Sequence, residues 1–245
     1  MTQVAPYRAL AQCYDAVMDH VDYEVWVELI ETLLEFHDHA PGDVIELGCG
    51  TATFSCLFAA RNKANYLATD ASREMLCVAR EKARDSDIEF AQLRFESFDD
   101  QEIFDTVFLL FDGLNYITDE ADVLMLFRRV YRALRSGGLF IFDQSTPANS
   151  LNNLEYFRDA GRSGLVSFIR HSEYDEETAV HTTRFEITTS DNVFEEIHFQ
   201  KCYTGSQIQE ILEKTEFEIE AGYDGFSLET ADTESERIHW VVRKH

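Results

Sequence analysis

Apolar residues recur along the chain with two spacings, one typical of helices and one typical of strands. Between residues 25 and 34 they recur every three or four positions, which predicts an amphipathic helix capped by Asp22. Pro41-Gly42 ends that segment, and Asp43–Leu47 follows as a short apolar run. Two glycines then separate this run from a helical stretch that begins near Thr51. The order predicts a strand, a turn and a helix.

The same unit repeats through the first 145 residues. Ser72 is predicted to cap the helix after the second strand, and Gly137-Gly138 to end the long helix that contains Leu134. Further strands are predicted over residues 65–69, 88–95, 105–111 and 139–142. Strands that alternate with helices and are apolar almost throughout predict an α/β fold. We expect a doubly wound, Rossmann-like, mostly parallel seven-stranded sheet with helices on both faces.

The pattern changes in the second half of the chain. From about Leu165 to Tyr203 polar and apolar residues alternate singly, as in antiparallel strands, and Asp191-Asn192 provides a turn. Thr204 and Gln207 have the spacing of a capping box, which predicts a further helix. The last two predicted strands cover residues 217–221 and 238–242.

Three regions follow from these patterns. We expect N-terminal helices and an α/β core over residues 1–147, an inserted antiparallel β lid over 148–203, and a return to the core sheet over 204–245. The inserted region is interpreted as a β-meander, not as a second globular domain.

Composition and charge narrow the function classes. The chain has 245 residues, 45% of them hydrophobic, so it can bury a sizeable core. Its net charge of −25 disfavours nucleic acid and anionic membranes as partners and favours a cationic small molecule. The densest basic cluster is interpreted as a solvated helix face. It consists of Arg128, Arg129, Arg132 and Arg135.

Other sequence signals limit location and cofactors. The first ten residues do not have the pattern of a signal peptide, and no run of 18 apolar residues occurs. We therefore expect a soluble, cytoplasmic monomer or homodimer. Five widely spaced cysteines without C-x-x-C predict neither disulfides nor a zinc site, and the absence of H-E-x-x-H gives no support to metal catalysis.

The turn after Asp43–Leu47 is the first candidate for ligand binding. In an open parallel sheet, ligands bind beyond the carboxyl ends of the strands. Gly48 and Gly50 let the backbone approach a ligand closely, a property that NAD-binding proteins share. However, Ala52 and the residues after it do not supply the final glycine that close approach to a pyrophosphate favours, and no P-loop pattern occurs.

Four segments in order resemble motifs of class I S-adenosylmethionine (SAM)-dependent methyltransferases. They are Glu46–Ala52, Asp70–Leu76, Phe104–Tyr116 and Leu134–Asp143. The resemblance implies that SAM is the cofactor and that the Asp70 carboxylate accepts hydrogen bonds from both ribose hydroxyls. The cofactor-binding residues that it implies are Tyr14, Trp26, Glu46, Gly48, Cys49, Gly50, Asp70, Ala71, Met75, Phe95, Phe111 and Asn115.

Two positions depart from the family pattern. Ala52 stands where the third glycine of the first motif is usual, a mild change. At the end of the third strand the family often has an acid that holds the adenine amino group. Here the sequence reads Arg94-Phe95 with Glu96 next, so the sequence leaves open which acid, if any, reaches that group. Phe95 is a candidate to flank the adenine ring.

Nearly the whole chain is similar to a bacterial subfamily that includes amino-sugar N,N-dimethyltransferases. The similarity rests on Tyr14-Asp15-x-x-Met18, on Asp22-Tyr23-x-x-Trp26, and on the spacing of Glu196, His198 and Tyr203. Glu196 and His198 lie two apart on a predicted strand and share one face. They are therefore candidates to orient an amine or take its proton, with a polar pair on an exposed sheet as the alternative.

These observations predict a SAM-dependent methyltransferase that acts on a small molecule by direct in-line transfer, at nitrogen. An O-methyltransferase, a tRNA methyltransferase and a SAM-binding regulatory protein without transferase activity remain as alternatives. A nicotinamide-dependent oxidoreductase is disfavoured by Ala52 and by the missing Tyr-x-x-x-Lys signature. The sequence does not identify the acceptor.

Overall fold

The computed structural model describes residues 1–154 and 157–245, whose strands form two sheets. The α-helices of these residues are α1 (Tyr14–Val17), α2 (Tyr23–Phe36), α3 (Thr53–Arg61), α4 (Arg73–Lys82), α5 (Glu120–Ala133), α6 (Pro147–Asn152) and α7 (Gly205–Leu212). The strands are β1 (Thr2–Gln3), β2 (Asp43–Leu47), β3 (Asn65–Asp70), β4 (Glu89–Gln92), β5 (Phe104–Leu109), β6 (Leu134–Ser145), β7 (Arg158–Ser163), β8 (Val166–Asp175), β9 (Val180–Thr188), β10 (Val193–Lys201), β11 (Glu218–Asp224) and β12 (Arg237–Arg243).

The larger sheet has seven strands in the order β11-β12-β6-β5-β2-β3-β4. The strands from β6 to β4 pair in parallel, and β12 pairs antiparallel with both β6 and β11. This arrangement confirms the predicted doubly wound, mostly parallel sheet. Because both faces are covered by helices, its central strands are apolar on both sides.

Each face of the larger sheet has its own hydrophobic core. Helices α2, α3 and α4 cover one face, where Phe54 and Phe58 pack against Phe108. Helices α5 and α7 cover the other face, where Phe127 packs against Phe142 at 5.1 Å between ring centroids. Each fully buried large side chain contributes about 1.5–3 kcal/mol, so these two cores fix the sheet on which the site is built.

The predicted helix caps are confirmed. The Asp22 carboxylate accepts hydrogen bonds from the backbone N–H groups of Glu24 and Val25 at the start of α2. The Ser72 hydroxyl accepts from the N–H of Met75 at 3.1 Å, and the capping box at the start of α7 is present. Residues with short polar side chains therefore set where these helices begin.

The boundary between α5 and β6 differs from the sequence prediction. The helix ends at Ala133, and Leu134 already begins the strand, four residues before Gly138. Arg135 is therefore a strand residue that binds Asp43 and Asp105, not part of a helical basic face. Gly137-Gly138 therefore lies within β6 and does not end a helix. A Cβ on Gly138 would lie 2.9 Å from the Asp105 carbonyl oxygen, so the neighbouring strand favours glycine there.

Two other boundaries were also placed wrongly. Helix α3 begins at Thr53 and not at Thr51, because Ala52 has a left-handed backbone with a φ of 61°. The strand predicted over 88–95 is shorter, and Phe95 lies in a 3-10 turn that follows β4. Side-chain spacing alone does not reveal such local changes of backbone direction.

The smaller sheet has the order β1-β10-β9-β8-β7 and is antiparallel except for the parallel pair of β1 with β10. The predicted turn at Asp191-Asn192 joins β9 to β10. A third hydrophobic cluster, which includes Leu10, Phe168 and Ile187, packs the N-terminal segment against this sheet. The division of the chain into regions at 147/148 and 203/204 stays a prediction.

Within residues 1–154 and 157–245 no helix has the length and apolar character needed to cross a membrane. The same residues contain no group of three or more His, Cys, Asp and Glu side chains arranged to hold a metal ion.

Candidate functional site

A cavity of about 570 Å³ lies at the carboxyl ends of β2, β3 and β5, under the N-terminal segment. This volume lies within the roughly 300–1,000 Å³ usual for small-molecule sites. The turn after β2, the end of β3 and the turn after β5 form one wall. The N-terminal segment around Tyr7 and Tyr14 forms another.

The turn after β2 presents backbone to the cavity. The N–H groups of Gly48 and Cys49 both donate to the Thr69 carbonyl oxygen at 2.8 Å, which ties the turn to β3. Gly48 and Gly50 have φ angles of 78° and 56°, a region that favours glycine. A Cβ on Gly50 would lie 3.5 Å from the Tyr14 ring, so the glycine turn packs closely against the N-terminal segment.

Asp70 is buried at the end of β3, with 9% of its surface exposed. One carboxylate oxygen accepts from the Gly50 N–H at 2.9 Å and the other from the Ser72 N–H at 2.7 Å. Burial raises the pKa of Asp70 to about 6, while these two hydrogen bonds oppose the rise. Each oxygen keeps further acceptor capacity, which is what recognition of two neighbouring hydroxyls requires.

The residues of the cavity fit the cofactor that the sequence predicted. A buried carboxylate suits the ribose hydroxyls, the rings of Phe95 and Phe111 suit a flat base and a chain that carries a sulfonium, and the glycine turn allows backbone contact. SAM has no phosphate, so the missing phosphate cradle does not count against it.

The N-terminal wall is held by a carboxylate from the smaller sheet. Glu196 of β10 is fully buried and accepts from three backbone N–H groups. The distances are 2.7 Å from Tyr7, 2.5 Å from Ala9 and 2.9 Å from Leu10. On its other side the Tyr7 carbonyl oxygen accepts from the Ser72 hydroxyl at 2.9 Å. The segment is thus fixed to both sheets.

A chain of side-chain hydrogen bonds leads from Glu196 back to the cavity. His198 Nε2 lies 3.2 Å from the Glu196 carboxylate, and His198 Nδ1 lies 2.9 Å from the Tyr116 hydroxyl. The Tyr7 hydroxyl donates to the Tyr116 hydroxyl. Burial raises the pKa of Tyr7 and of Tyr116 well above the ordinary value, so both stay protonated at neutral pH.

Nine of the twelve predicted cofactor residues line the cavity. They are Tyr14, Gly48, Cys49, Gly50, Asp70, Ala71, Met75, Phe95 and Phe111. Three residues lie outside its wall, and their binding role stays a prediction: Trp26, Glu46 and Asn115.

Each of these three has a packing role that explains its place. Trp26 lies behind the wall and stacks on Phe111 at 4.1 Å between centroids. Asn115 is buried and donates to the carbonyl oxygens of Ser145 and Lys201, which ties the two sheets together.

Glu46 points away from the cavity. Its carboxylate accepts from the Ser55 hydroxyl at 2.5 Å and from the Tyr66 hydroxyl at 2.9 Å. Burial raises its pKa to about 7, while these two hydrogen bonds oppose the rise. The side chain therefore joins α3 to β3 behind the glycine turn.

The predicted catalytic pair also lies outside the cavity wall. Glu196 and His198 share one face of β10, as expected, but that face is buried, so the alternative of an exposed polar pair is wrong. Glu196 is occupied by backbone N–H groups and is not free to meet an acceptor. His198 reaches the cavity only through Tyr116.

Sequence reasoning missed Tyr7 as a site residue. No motif surrounds it, and its place in the wall depends on Glu196, 189 positions away. Tyr116 follows the fourth predicted strand, where acceptor groups usually lie in the family, and it lines the cavity. Ser72 was predicted as a helix cap, and the structure adds its contact with the Tyr7 carbonyl.

The charge of the cavity wall differs from that of the whole chain. Its charged residues are Arg8, Arg73, Arg94, Arg129, Asp70, Glu74, Glu96 and Asp122. Both signs are equally represented there, so the excess negative charge of −25 lies elsewhere on the protein. The overall charge is therefore weak support for a cationic substrate.

Comparison with known proteins relates these features to a family. Residues 44–138, which contain the glycine turn and Asp70, match the family model described as a methyltransferase domain. The chain is 29% identical over 249 residues to the putative methyltransferase YqeM of Bacillus subtilis (strain 168), with 97% of each chain covered.

Solved structures share the fold over almost the entire chain. A SAM-dependent methyltransferase from Clostridium acetobutylicum is 24% identical, with a TM-score of 0.80 and 96% and 97% of the two chains covered. CalS10, an amino pentose methyltransferase from Micromonospora echinaspora solved with SAM bound, is 17% identical. Its TM-score is 0.71, and 95% of this chain and 96% of that chain are covered.

Proposed function

Because the chain is a class I SAM-dependent methyltransferase, we propose that it methylates a small acceptor at a nitrogen atom. The observation that carries this proposal is the hydrogen-bond chain from Glu196 through His198 and Tyr116 to Tyr7. Its last two members line the cavity beside the glycine turn and Asp70.

The direction of that chain follows from its first member. A carboxylate only accepts hydrogen bonds, so His198 Nε2 carries the proton that faces Glu196. The neutral ring then has an unprotonated Nδ1, which accepts from the Tyr116 hydroxyl, and Tyr116 accepts from Tyr7. Because the Tyr7 proton is used in this way, Tyr7 offers an acceptor oxygen to the cavity. An N–H group of an amine is a suitable donor.

The same residues divide the work of the site. The glycine turn, Asp70, Met75, Phe95 and Phe111 are proposed to hold SAM. When bound, SAM supplies an electrophilic methyl group on a sulfonium. Tyr7 and Tyr14, on the N-terminal wall, exclude water and orient the acceptor, so the protein contributes chiefly by positioning.

The proposed transfer moves one methyl group to the amine and one proton away from it. The amine nitrogen forms its new bond to carbon with its lone pair, and the electron pair of the broken carbon–sulfur bond stays on sulfur. The amine proton passes to the Tyr7 oxygen as Tyr7 gives its own proton to Tyr116 and Tyr116 gives its proton to His198 Nδ1. The adjacent Glu196 carboxylate stabilises the positive charge that forms on the ring.

The comparisons support an amine acceptor only by analogy. CalS10 is named as an amino pentose methyltransferase, and it shares the fold over 95% of this chain. A cavity of about 570 Å³ has room for SAM and a compact acceptor, which favours a small molecule over a macromolecule.

His198 acts through Tyr116 and is therefore proposed as a positioning residue.

Methyl transfer tests the proposal. The purified chain is incubated with methyl-labelled SAM and with amines, amino sugars, short peptides, tRNA and matched hydroxyl compounds. We expect label on nitrogen, and a kcat about tenfold lower in Tyr116→Phe with the KM for SAM unchanged. Tyr131→Phe is the matched control, since Tyr131 lies under Lys244 on the far side of α5.

Three results would overturn the proposal. Label on hydroxyl compounds or tRNA alone would replace the nitrogen acceptor. Tight SAM binding in calorimetry without transfer to any compound would favour a regulatory SAM-binding protein. Binding of NAD without SAM would remove the cofactor assignment as well.

A further inference from the structure

The turn after β5 has an unusual backbone. Phe111 and Asp112 are consecutive, neither is glycine, and both have left-handed conformations with φ angles of 59° and 61°. Such residues are uncommon, and two in succession persist only where the surroundings fix them. Leu110 and Phe111 line the cavity and Gly113 follows on its wall, so this strain lies at the site.

One arginine from the last strand holds this turn. Arg237 of β12 contacts Oδ1 of Asp112 at 2.5 Å and also contacts Oδ2 of Asp143. Both contacts use the same guanidinium nitrogen. The Asp112 N–H in turn donates to Oδ2 of Asp143 at 3.2 Å. The turn is thus closed by a three-residue network at the ends of β5, β6 and β12.

Asp143 is the buried member of this network, and Arg237 and Asp112 are partly exposed. Asp143 is fully buried, and its Oδ1 has no hydrogen-bond partner among residues 1–154 and 157–245. Burial raises the pKa of Asp143 to about 7, and Arg237 is the cation that opposes this rise. The Arg237 guanidinium also lies 5.2 Å from the Trp26 ring centroid. The arginine therefore joins two carboxylates and an aromatic side chain.

Phe111 transmits the geometry of the turn to the cavity. Its ring contacts Trp26, Tyr23 at 5.2 Å and Phe54 at 6.0 Å between centroids. A change in the backbone at Asp112 would rotate this ring out of the wall. Arg237 itself does not line the cavity, so any effect on binding passes through the turn.

We infer that Arg237 is a positioning residue for the cofactor, which holds the strained Phe111–Asp112 turn so that the Phe111 ring completes the cavity wall. The inference rests on the proposed binding of SAM in this cavity. It goes beyond stability, because buried ion pairs often contribute little to stability relative to apolar replacements.

Three variants separate positioning from stability. Arg237→Met removes the cation and leaves the buried Asp143 carboxylate beside the partly exposed Asp112, so we expect a lower Tm and a Kd for SAM about tenfold weaker by calorimetry. Arg237→Met/Asp143→Asn removes the buried charge and is expected to recover most of the Tm. Its Kd for SAM should stay about tenfold weaker, because Asp112 is still released. Arg237→Lys places one nitrogen where both contacts are made and should recover most of the affinity.

Arg243→Met is the matched control. Arg243 lies on the same strand and binds Glu220 and the His37 carbonyl oxygen, away from the cavity. We expect it to lower the Tm and leave the Kd for SAM unchanged.

The outcomes distinguish this inference from the proposed function. If the wild-type chain does not bind SAM, the proposed cofactor site fails. If the wild type binds SAM and the double variant recovers its affinity along with its Tm, Arg237 only stabilises the fold and the positioning role is overturned. An unchanged Kd in folded Arg237→Met overturns it equally.

Discussion

The two walls of the cavity are built in different ways. On the wall formed by the strand ends, the Gly50 N–H reaches Asp70 across 20 positions and the Ser72 N–H reaches it across two. On the N-terminal wall, the Tyr7 N–H reaches Glu196 across 189 positions, and the Tyr7 hydroxyl reaches that of Tyr116 across 109. In the first wall, the turn after β2 and the end of β3 are set by local chain geometry, and only the turn after β5 is held by a distant residue, Arg237. The second wall is made by the folding of one sheet against the other.

This difference corresponds to a division of chemistry. The wall at the strand ends offers hydrogen-bond acceptors and backbone groups that suit the cofactor. Its turn after β2 has a backbone conformation that favours glycine. The N-terminal wall carries the hydroxyl groups proposed to meet the acceptor. A change in acceptor therefore requires changes in the second wall only.

Removal of Glu196 is expected to have the largest effect, and on the N-terminal wall alone. Glu196→Ala leaves three backbone N–H groups without a charged acceptor, each worth about 1.5–3 kcal/mol. We expect the free energy of unfolding in urea to fall by at least about 4.5 kcal/mol, three times the lower value. Limited proteolysis should cut the segment before residue 18 first.

The neighbouring carboxylate is the control for this variant. Glu195 pairs with the exposed Arg184 at 2.8 Å, so Glu195→Ala should cost less than about 1 kcal/mol. Equal losses in the two variants would contradict the anchoring role of Glu196.

Removal of Asp70 addresses the other wall. Asp70→Ala deletes the proposed partner of the ribose hydroxyls and the acceptor of the Gly50 and Ser72 N–H groups. We expect calorimetry to show SAM affinity weaker by about a hundredfold, or about 2.7 kcal/mol. Glu81→Gln changes an exposed carboxylate of α4 that does not line the cavity and should bind SAM as the wild type does. Wild-type affinity in Asp70→Ala would place SAM elsewhere.

The buried carboxyl behind the glycine turn gives a pH-dependent effect. The pKa of Glu46 is raised to about 7 in the folded chain, so between about pH 4.5 and 7 the folded state binds more protons than the unfolded state. Stability from this group is present below about pH 4.5 and is lost as the pH rises through 7. Glu46→Gln should therefore gain up to about 3 kcal/mol relative to wild type between pH 4.5 and 8.

Urea unfolding at both pH values measures this difference. Glu24→Gln, at an exposed carboxylate of α2, supplies the pH-matched control. A difference between Glu46→Gln and wild type that is the same at both pH values would show that Glu46 does not titrate as described.

Ala52 is expected to give the smallest effect. Its left-handed backbone, with a φ of 61°, costs about 1–2 kcal/mol, which Ala52→Gly relieves. Two effects destabilise the variant in return: it loses a fully buried methyl group, and its unfolded state gains conformational entropy. Each of these costs about 0.4–1 kcal/mol. We expect the gain from relieved backbone strain and these losses to cancel to within about 1 kcal/mol in thermal unfolding. A larger change would mean that one of them has been misjudged.

The wall at the strand ends could be predicted from the sequence because its signals are local. Gly48 and Gly50 after an apolar run, Asp70 after the next, and Ser72 as a cap are each read within a few residues. The roles of Trp26 and Asn115 are harder to predict, because an aromatic ring or an amide near a site has the same sequence signal whether it packs or binds.

The N-terminal wall and the arginine network could not be predicted in the same way. Nothing near Tyr7 indicates that Glu196 will accept its N–H, and nothing near Phe111 indicates that Arg237 will hold the next residue. Both depend on how distant strands come together. The start of β6 at Leu134 was missed for a related reason, since the helical spacing of apolar residues continues for one position into the strand.

The parallel pairing of β1 with β10 has a consequence for synthesis on the ribosome. The glycine turn and Asp70 are translated early and find their partners within about 20 residues. Tyr7 must wait for Glu196, 189 residues later, which at 5–20 residues per second takes roughly 10–40 s. During that interval the first residues emerge, stay unpaired and are open to nascent-chain factors. The N-terminal wall therefore cannot be completed until β10 has been synthesised.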